Sequence, residues 1–174
     1  NTSTRYAKAY YETFGFDSIT VAPYMGEDSV APFLDFEGKY AIMLALTSNA
    51  GSQDFQHLKS DEKALFQQVL ETSKAWQNSD RLMYVVGATQ ANALKEIRAI
   101  VPDSFLLVPG VGAQGGQLNE VARFGLNDKV GLLVNSSRSI LYASQGEDYA
   151  QAAQKEAERL QSDMKVELKK KGIV

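Results

Sequence analysis

The sequence predicts an α/β fold built on parallel strands, and three observations carry that prediction. Apolar runs of strand length recur along the 174 residues, each closed by Gly, Pro or small polar residues and followed by a stretch with helical spacing. The runs are continuously hydrophobic instead of alternating, which is how strands covered on both faces read. Finally, no linker, repeat or low-complexity segment interrupts the pattern, so one domain is expected at about 100 to 200 residues per domain.

The elements follow in order. Tyr6, Tyr10 and Phe14 keep a spacing of four before Gly15, a helix with a glycine stop. A first strand over residues 18–22 is ended by Pro23 and Gly26, and the loop through Ser29 offers a helix cap at Asp28 or Ser29. The second strand covers 40–46. Ser60 is placed to cap a helix whose first turn holds Asp61 and Glu62, with Leu65, Phe66, Val69, Leu70 and Trp76 on one face. The third strand covers 82–86. Thr89 starts the next helix, with Leu94, Ile97 and Val101 inward and Pro102 blocking its continuation. Strands over 105–108 and 130–134 flank a helix that begins near Leu118. The last helix aligns Tyr149, Ala153, Ala157, Leu160, Met164 and Leu168, and ends in Lys169, Lys170 and Lys171, cations suited to the negative end of the helix dipole.

Two architectures fit this order: an open doubly wound sheet, and a (β/α)8 barrel of which five βα units are present. A whole barrel typically needs about 250 residues, so the chain would supply an incomplete one. Composition narrows the partners. A net charge of −3 and a pI near 5.2 argue against nucleic acid or an anionic membrane surface, which need basic stripes. No apolar run approaches the length of a membrane span. The absence of cysteine removes disulfides and thiolate metal sites. A cytoplasmic protein is the expectation.

In either architecture ligands bind beyond the carboxyl ends of the strands. There, Pro109-Gly110-Val111-Gly112-Ala113-Gln114-Gly115-Gly116 places four glycines within eight residues, which lets backbone N–H groups approach an anion. After the next strand, Asn135-Ser136-Ser137-Arg138-Ser139 combines hydroxyls with a guanidinium suited to bidentate phosphate contact. Each alone reads as an ordinary turn or surface charge; together they favour a phosphate grip. Thr47-Ser48-Asn49 could orient a ligand at the end of the second strand, or simply turn the chain. The lone His57 reads as a solvated side chain. The chain has no nucleophile elbow, no dinucleotide fingerprint after the first strand and no metal-ligand spacing.

Pro23-Tyr24-Met25-Gly26-Glu27-Asp28, Leu46-Thr47-Ser48-Asn49-Ala50-Gly51-Ser52, Val86-Gly87-Ala88-Thr89, the glycine loop and Asn135-Ser136-Ser137-Arg138-Ser139 together resemble the orotidine 5′-phosphate decarboxylase family, in its longer bacterial subgroup. The resemblance covers essentially the whole chain. It implies a (β/α)8 barrel of which this chain, residues 1–174, is the C-terminal part with strands four to eight. It also implies a homodimer with active sites at the interface that converts orotidine 5′-monophosphate to UMP and CO2 without cofactor or metal. By the same resemblance, Arg138 grips the phosphate, Ser136 and Ser137 sit beside it, Gln114 closes between phosphate and pyrimidine, Ser48 hydrogen-bonds the base, and Pro109 lines the pocket of the departing carboxylate.

The family's proton donor is the lysine of an Asp-x-Lys-x-x-Asp segment followed by Asn-Thr. Asn1-Thr2 looks like that Asn-Thr, so the catalytic set is expected upstream and none of it in this chain, while Thr2 reaches the partner subunit's ligand. Ala22 departs from the asparagine usual there. Two other readings remain at this level: a non-catalytic phosphate- or nucleotide-binding partial barrel, and another sugar-phosphate lyase using Lys39 or Lys95 as a Schiff-base amine.

Overall fold

The computed structural model describes residues 2–112 and 116–174. Helix α1 (Thr2–Lys8) widens into a π-turn over Ala9–Thr13, and Gly15, at φ 71°, ends it. Its buried face is Ala7 and Tyr11, one position off the Tyr6, Tyr10 and Phe14 row, and the Tyr11 hydroxyl donates to the Tyr40 carbonyl at 2.7 Å. Strand β1 (Ser18–Val21), helix α2 (Glu27–Leu34) and strand β2 (Tyr40–Leu46) follow. Next come the short helix α3 (Ser52–Phe55), a hairpin of β3 (Lys59–Ser60) and β4 (Lys63–Ala64), and helix α4 (Leu65–Ser73). The remainder is β5 (Leu82–Val86), α5 (Ala91–Ile100), β6 (Leu106–Pro109), α6 (Leu118–Gly125), β7 (Leu132–Asn135), α7 (Arg138–Leu141) and α8 (Tyr149–Lys171).

The five long strands pair in parallel in the order β1-β2-β5-β6-β7, so each lies beside the next one met along the chain. A doubly wound sheet reverses direction at a switch point, and this order has no reversal. With crossovers of one hand, a sequential order puts every connecting helix on the same side and gives the arc of a barrel wall. The doubly wound alternative is therefore excluded.

Side-chain alternation explains the unbroken apolar runs. Ala41, Met43, Leu82, Tyr84, Val86, Leu106, Val108 and Leu132 face the helices and belong to the main core. Ile42, Met83 and Val85 face the other way, with Leu44, Phe105 and Leu107 packed against them, and form a second, smaller cluster on the concave side. Both faces need hydrophobic residues, so no period of two appears in the sequence. Strand β2 carries one irregularity: Leu44 pairs with Val85 and Leu46 with Val86, so Ala45 is an extra residue, a bulge at the carboxyl end of the strand.

Several expected boundaries move. Strand β1 ends at Val21, before Ala22. The strand expected at 105–108 occupies Leu106–Pro109, and the one expected at 130–134 occupies Leu132–Asn135. Val130 and Gly131 have φ of 75° and 64° and form a turn bridged to Asn127, which no extended strand can include. Ser60 caps no helix. Asp61 and Glu62, at φ 51° and 65°, are the two central residues of the β3–β4 hairpin, the left-handed pair that a tight turn requires. Helix α4 starts only after them, and Gln67 Oε1 accepts from the Ala64 N–H at 2.8 Å to satisfy its first turn. Helix α2 likewise begins at Glu27 after Gly26 (φ 86°), so neither Asp28 nor Ser29 is its cap.

At the amino-terminal end of the strands, Arg98 of α5 closes the structure. Its guanidinium donates to the carbonyls of Gly125 (2.6 and 3.1 Å), Ser104 (2.7 Å), Val101 (3.0 Å), Gly131 (3.0 Å) and Pro102 (3.1 Å). Those groups end α5 and α6 and lead into β6 and β7. Burial pulls the Arg98 pKa down to about 10, against the opposing pull of Asp103, so the side chain stays charged at neutral pH.

Candidate functional site

The loops that leave the carboxyl ends of β2, β5, β6 and β7 form a continuous rim. Parallel strands all end on this side, so residues distant in sequence are brought together by topology alone. The glycine loop begins with Pro109, the last residue of β6, which pairs with Asn135 of β7. Gly110 and Gly112 have φ of 89° and 85°, conformations that other residues rarely adopt. The base of the loop is closed by Gly112 N–H donating to the Gly116 carbonyl at 3.0 Å and by a parallel bridge from Val111 to Gly116. Gly116 also packs so close to Ala88 that a Cβ would lie 2.3 Å from the Ala88 Cβ, which ties the loop to the end of β5.

The loop after β7 lies against the glycine loop. Ser136 Oγ donates to the Val111 carbonyl at 3.4 Å and shares a short hydrogen bond with Ser139, while Ser139 Oγ would sit 3.8 Å from a Cβ on Gly112. Arg138 is the first residue of α7, and its side chain is exposed. Among the described residues no hydrogen bond or ion pair engages it. Arg159, by contrast, lines a cleft of 500 Å3 behind the glycine loop and is held at 2.7 Å by both Glu156 and Asp163. Of these two guanidiniums, the one at the rim is left without a described partner.

Ser48 sits on the other side of the same rim. Thr89 Oγ1 donates to Ser48 Oγ at 2.9 Å. Ser48 fills the space that a side chain at Gly87 would take, since a Cβ there would lie 1.9 Å from Ser48 Oγ. The preceding residue is clamped: Thr47 N–H donates to Gln56 Oε1 at 2.8 Å, and Gln56 Nε2 donates to Thr47 Oγ1 at 2.9 Å. Sequence reasoning did not identify Gln56. Its only signal is a polar side chain nine residues after Thr47, too common a pattern to single out.

The structure thus brings Ser48, Pro109, Ser136, Ser137 and Arg138 to one rim. Thr2 is at the same end, because α1 runs down towards the start of β1, but it is on the β1 edge, and among the described residues no hydrogen bond joins it to the rim. Asn1 and Gln114 lie outside the described residues. His57 is corrected: it is half-buried against the edge of Phe66, with ring centroids 6.0 Å apart, and its Nε2 is a buried atom without a partner among the described residues. A cleft of 630 Å3 lined by Pro23, Tyr24, Phe55, Leu65 and Phe66 opens beside it. Lys39 precedes β2, at the wrong end for the rim, and pairs with Asp17; Lys95 is on α5. Neither is placed to attack a ligand there. No group of His, Asp or Glu able to hold a metal occurs among the described residues, and no helix described is long and apolar enough to cross a membrane.

Comparison with known proteins agrees with this fold. The profile of the orotidine 5′-phosphate decarboxylase / HUMPS family matches residues 1–155. An orotidine 5′-phosphate decarboxylase of Flavobacterium johnsoniae is 63% identical over 164 residues, covering 94% of this chain and 60% of that protein. The protein of the same name from Christiangramia forsetii is 61% identical over 170 residues, with 98% and 62% covered. The chain therefore spans about three fifths of the length of these curated relatives. Among solved structures, the Leishmania donovani OMP decarboxylase superposes with a TM-score of 0.77 at 34% identity, covering 89% of this chain and 60% of that one. The Leishmania donovani UMP synthase gives 0.80 at 36%, covering 92% and 36%. The α/β barrel arc is the fold these neighbours share with the chain.

Proposed function

The chain belongs to the orotidine 5′-phosphate decarboxylase / HUMPS family, and from that premise we propose that the protein converts orotidine 5′-monophosphate to UMP and CO2 in pyrimidine biosynthesis. Residues 1–174 are the C-terminal part of a single (β/α)8 domain, contributing strands four to eight. In the reaction the bond between C6 and the carboxylate breaks, CO2 departs and a proton is delivered to C6. No Asp-x-Lys-x-x-Asp set occurs in these 174 residues, so their part is the grip on the substrate.

The observation that carries the reading is the joined pair of loops after β6 and β7, with an unpaired Arg138 at their edge. Arg138 takes the phosphate by charge-assisted, bidentate contact, and Ser136 and Ser137 lie beside the same group. Gln114 closes between phosphate and pyrimidine, Ser48 hydrogen-bonds the base, and Pro109 lines the space from which CO2 leaves. The protein works as a cytoplasmic homodimer, and Thr2, on the β1 edge, reaches the partner subunit's ligand.

The phosphate is remote from the reacting carbon, so energy from holding it can appear in kcat as well as in KM. Arg138→Ala in the full-length protein should lower kcat/KM for orotidine 5′-monophosphate by about 2 to 4 kcal/mol. An unchanged kcat/KM would sink the assignment.

A further inference from the structure

We infer that Thr89 is a positioning residue, fixing the direction of the Ser48 hydroxyl towards the pyrimidine. The inference rests on the reading of Ser48 as the base contact. Thr89 stands where a helix cap was expected, yet among the described residues its hydroxyl makes no capping bond; the short turn Ala88–Gln90 carries it into α5, and Thr89 Oγ1 donates across the rim to Ser48 Oγ at 2.9 Å. A threonine at a helix start ordinarily turns its oxygen to the first free N–H groups. Here it is turned to the ligand side.

The surroundings leave Ser48 one freedom. Its backbone is held on one side by the Gln56 clamp on Thr47 and on the other by Gly87, where a Cβ would lie 2.8 Å from the Ser48 nitrogen and 1.9 Å from its Oγ. What remains is rotation of the hydroxyl, and the bond from Thr89 limits it. A hydroxyl offers one proton and two lone pairs. With one lone pair taken by Thr89, a proton and a lone pair stay open, and no described residue takes either. A uracil-type ring presents an acceptor and a donor side by side at O4 and N3–H, which is the complement of that remaining pair.

Calorimetric titration of the full-length protein with UMP, and separately with ribose 5-phosphate, tests the inference. Thr89 is exposed, so Thr89→Val, which keeps the shape and loses the donor, leaves packing intact. The variant should bind UMP about five- to tenfold more weakly, the range of one neutral hydrogen bond, and ribose 5-phosphate with unchanged affinity. Thr89→Ser should restore UMP binding, and in a Ser48→Ala background Thr89→Val should have no further effect. Equal weakening for both ligands, or a loss that persists without the Ser48 hydroxyl, would overturn the inference. So would Thr89→Val binding UMP normally while Ser48→Ala weakens it. If Ser48→Ala itself leaves UMP binding unchanged, the base-contact reading fails and takes this inference with it.

Discussion

Arg98 and Arg138 occupy opposite ends of the same strands, and their surroundings differ in kind. Arg98, at the amino-terminal end, is half-buried and its donors are taken by carbonyls of five residues. Arg138, just past the carboxyl end of β7, is exposed, and its guanidinium bonds to no described residue. One guanidinium is fully used in holding the chain together, and the other is left with its planar fork open. The same residue type thus serves as a fastener where every acceptor is supplied by the fold and, on the function proposed above, as a receptor where the acceptors come from a ligand. A barrel wall separates the two roles by putting its closed turns at one end and its open loops at the other.

The sharpest way to break this comparison is Arg98→Ala. Several backbone carbonyls would lose their donor at about 1 to 3 kcal/mol each, so urea denaturation of the full-length protein should show a loss on the order of 4 kcal/mol, with kcat of the remaining folded fraction unchanged. Arg138→Ala should do the reverse: it lowers kcat/KM while the denaturation midpoint moves by less than about 0.5 kcal/mol. A variant pair in which both properties fell together would erase the distinction.

Gly87→Ala probes the open end from below. The added Cβ cannot coexist with Ser48 Oγ, and displacing that side chain should weaken UMP binding by about 2 kcal/mol in a titration. An effect of similar size concerns Tyr11 at the closed end, where burial pushes the phenol from 10.0 up to about 12. The neutral phenol is favoured in the folded state, so its contribution is complete below pH 10 and is lost as pH rises through about 12. Stability measured between those values should fall less steeply for Tyr11→Phe than for the parent.

The layers of the fold were legible in sequence because burial on two faces demands continuous apolar runs, and residues 40–46 and 82–86 met that demand throughout. Boundaries were less so. Val130 belongs by composition to a strand, yet its left-handed backbone is set by the turn with Asn127, a tertiary choice that overrides propensity. Ser60, Asp61 and Glu62 carry all the marks of a helix start and instead make a hairpin. At the candidate site, glycines and an arginine could be read because their chemistry is unusual. Gln56 and the true partner of Thr89 could not, since each acts on a residue whose proximity only the folded chain creates.

The extra residue at Ala45 bears on how the site is encoded. A strand turns successive side chains to opposite faces, so one residue more or less before Thr47 exchanges what looks into the barrel and what looks out. The facing of Ser48 is therefore written in a count of residues and not in the identity of any of them. A catalogue of substitutions, however complete, would pass over it, and a single deletion would find it.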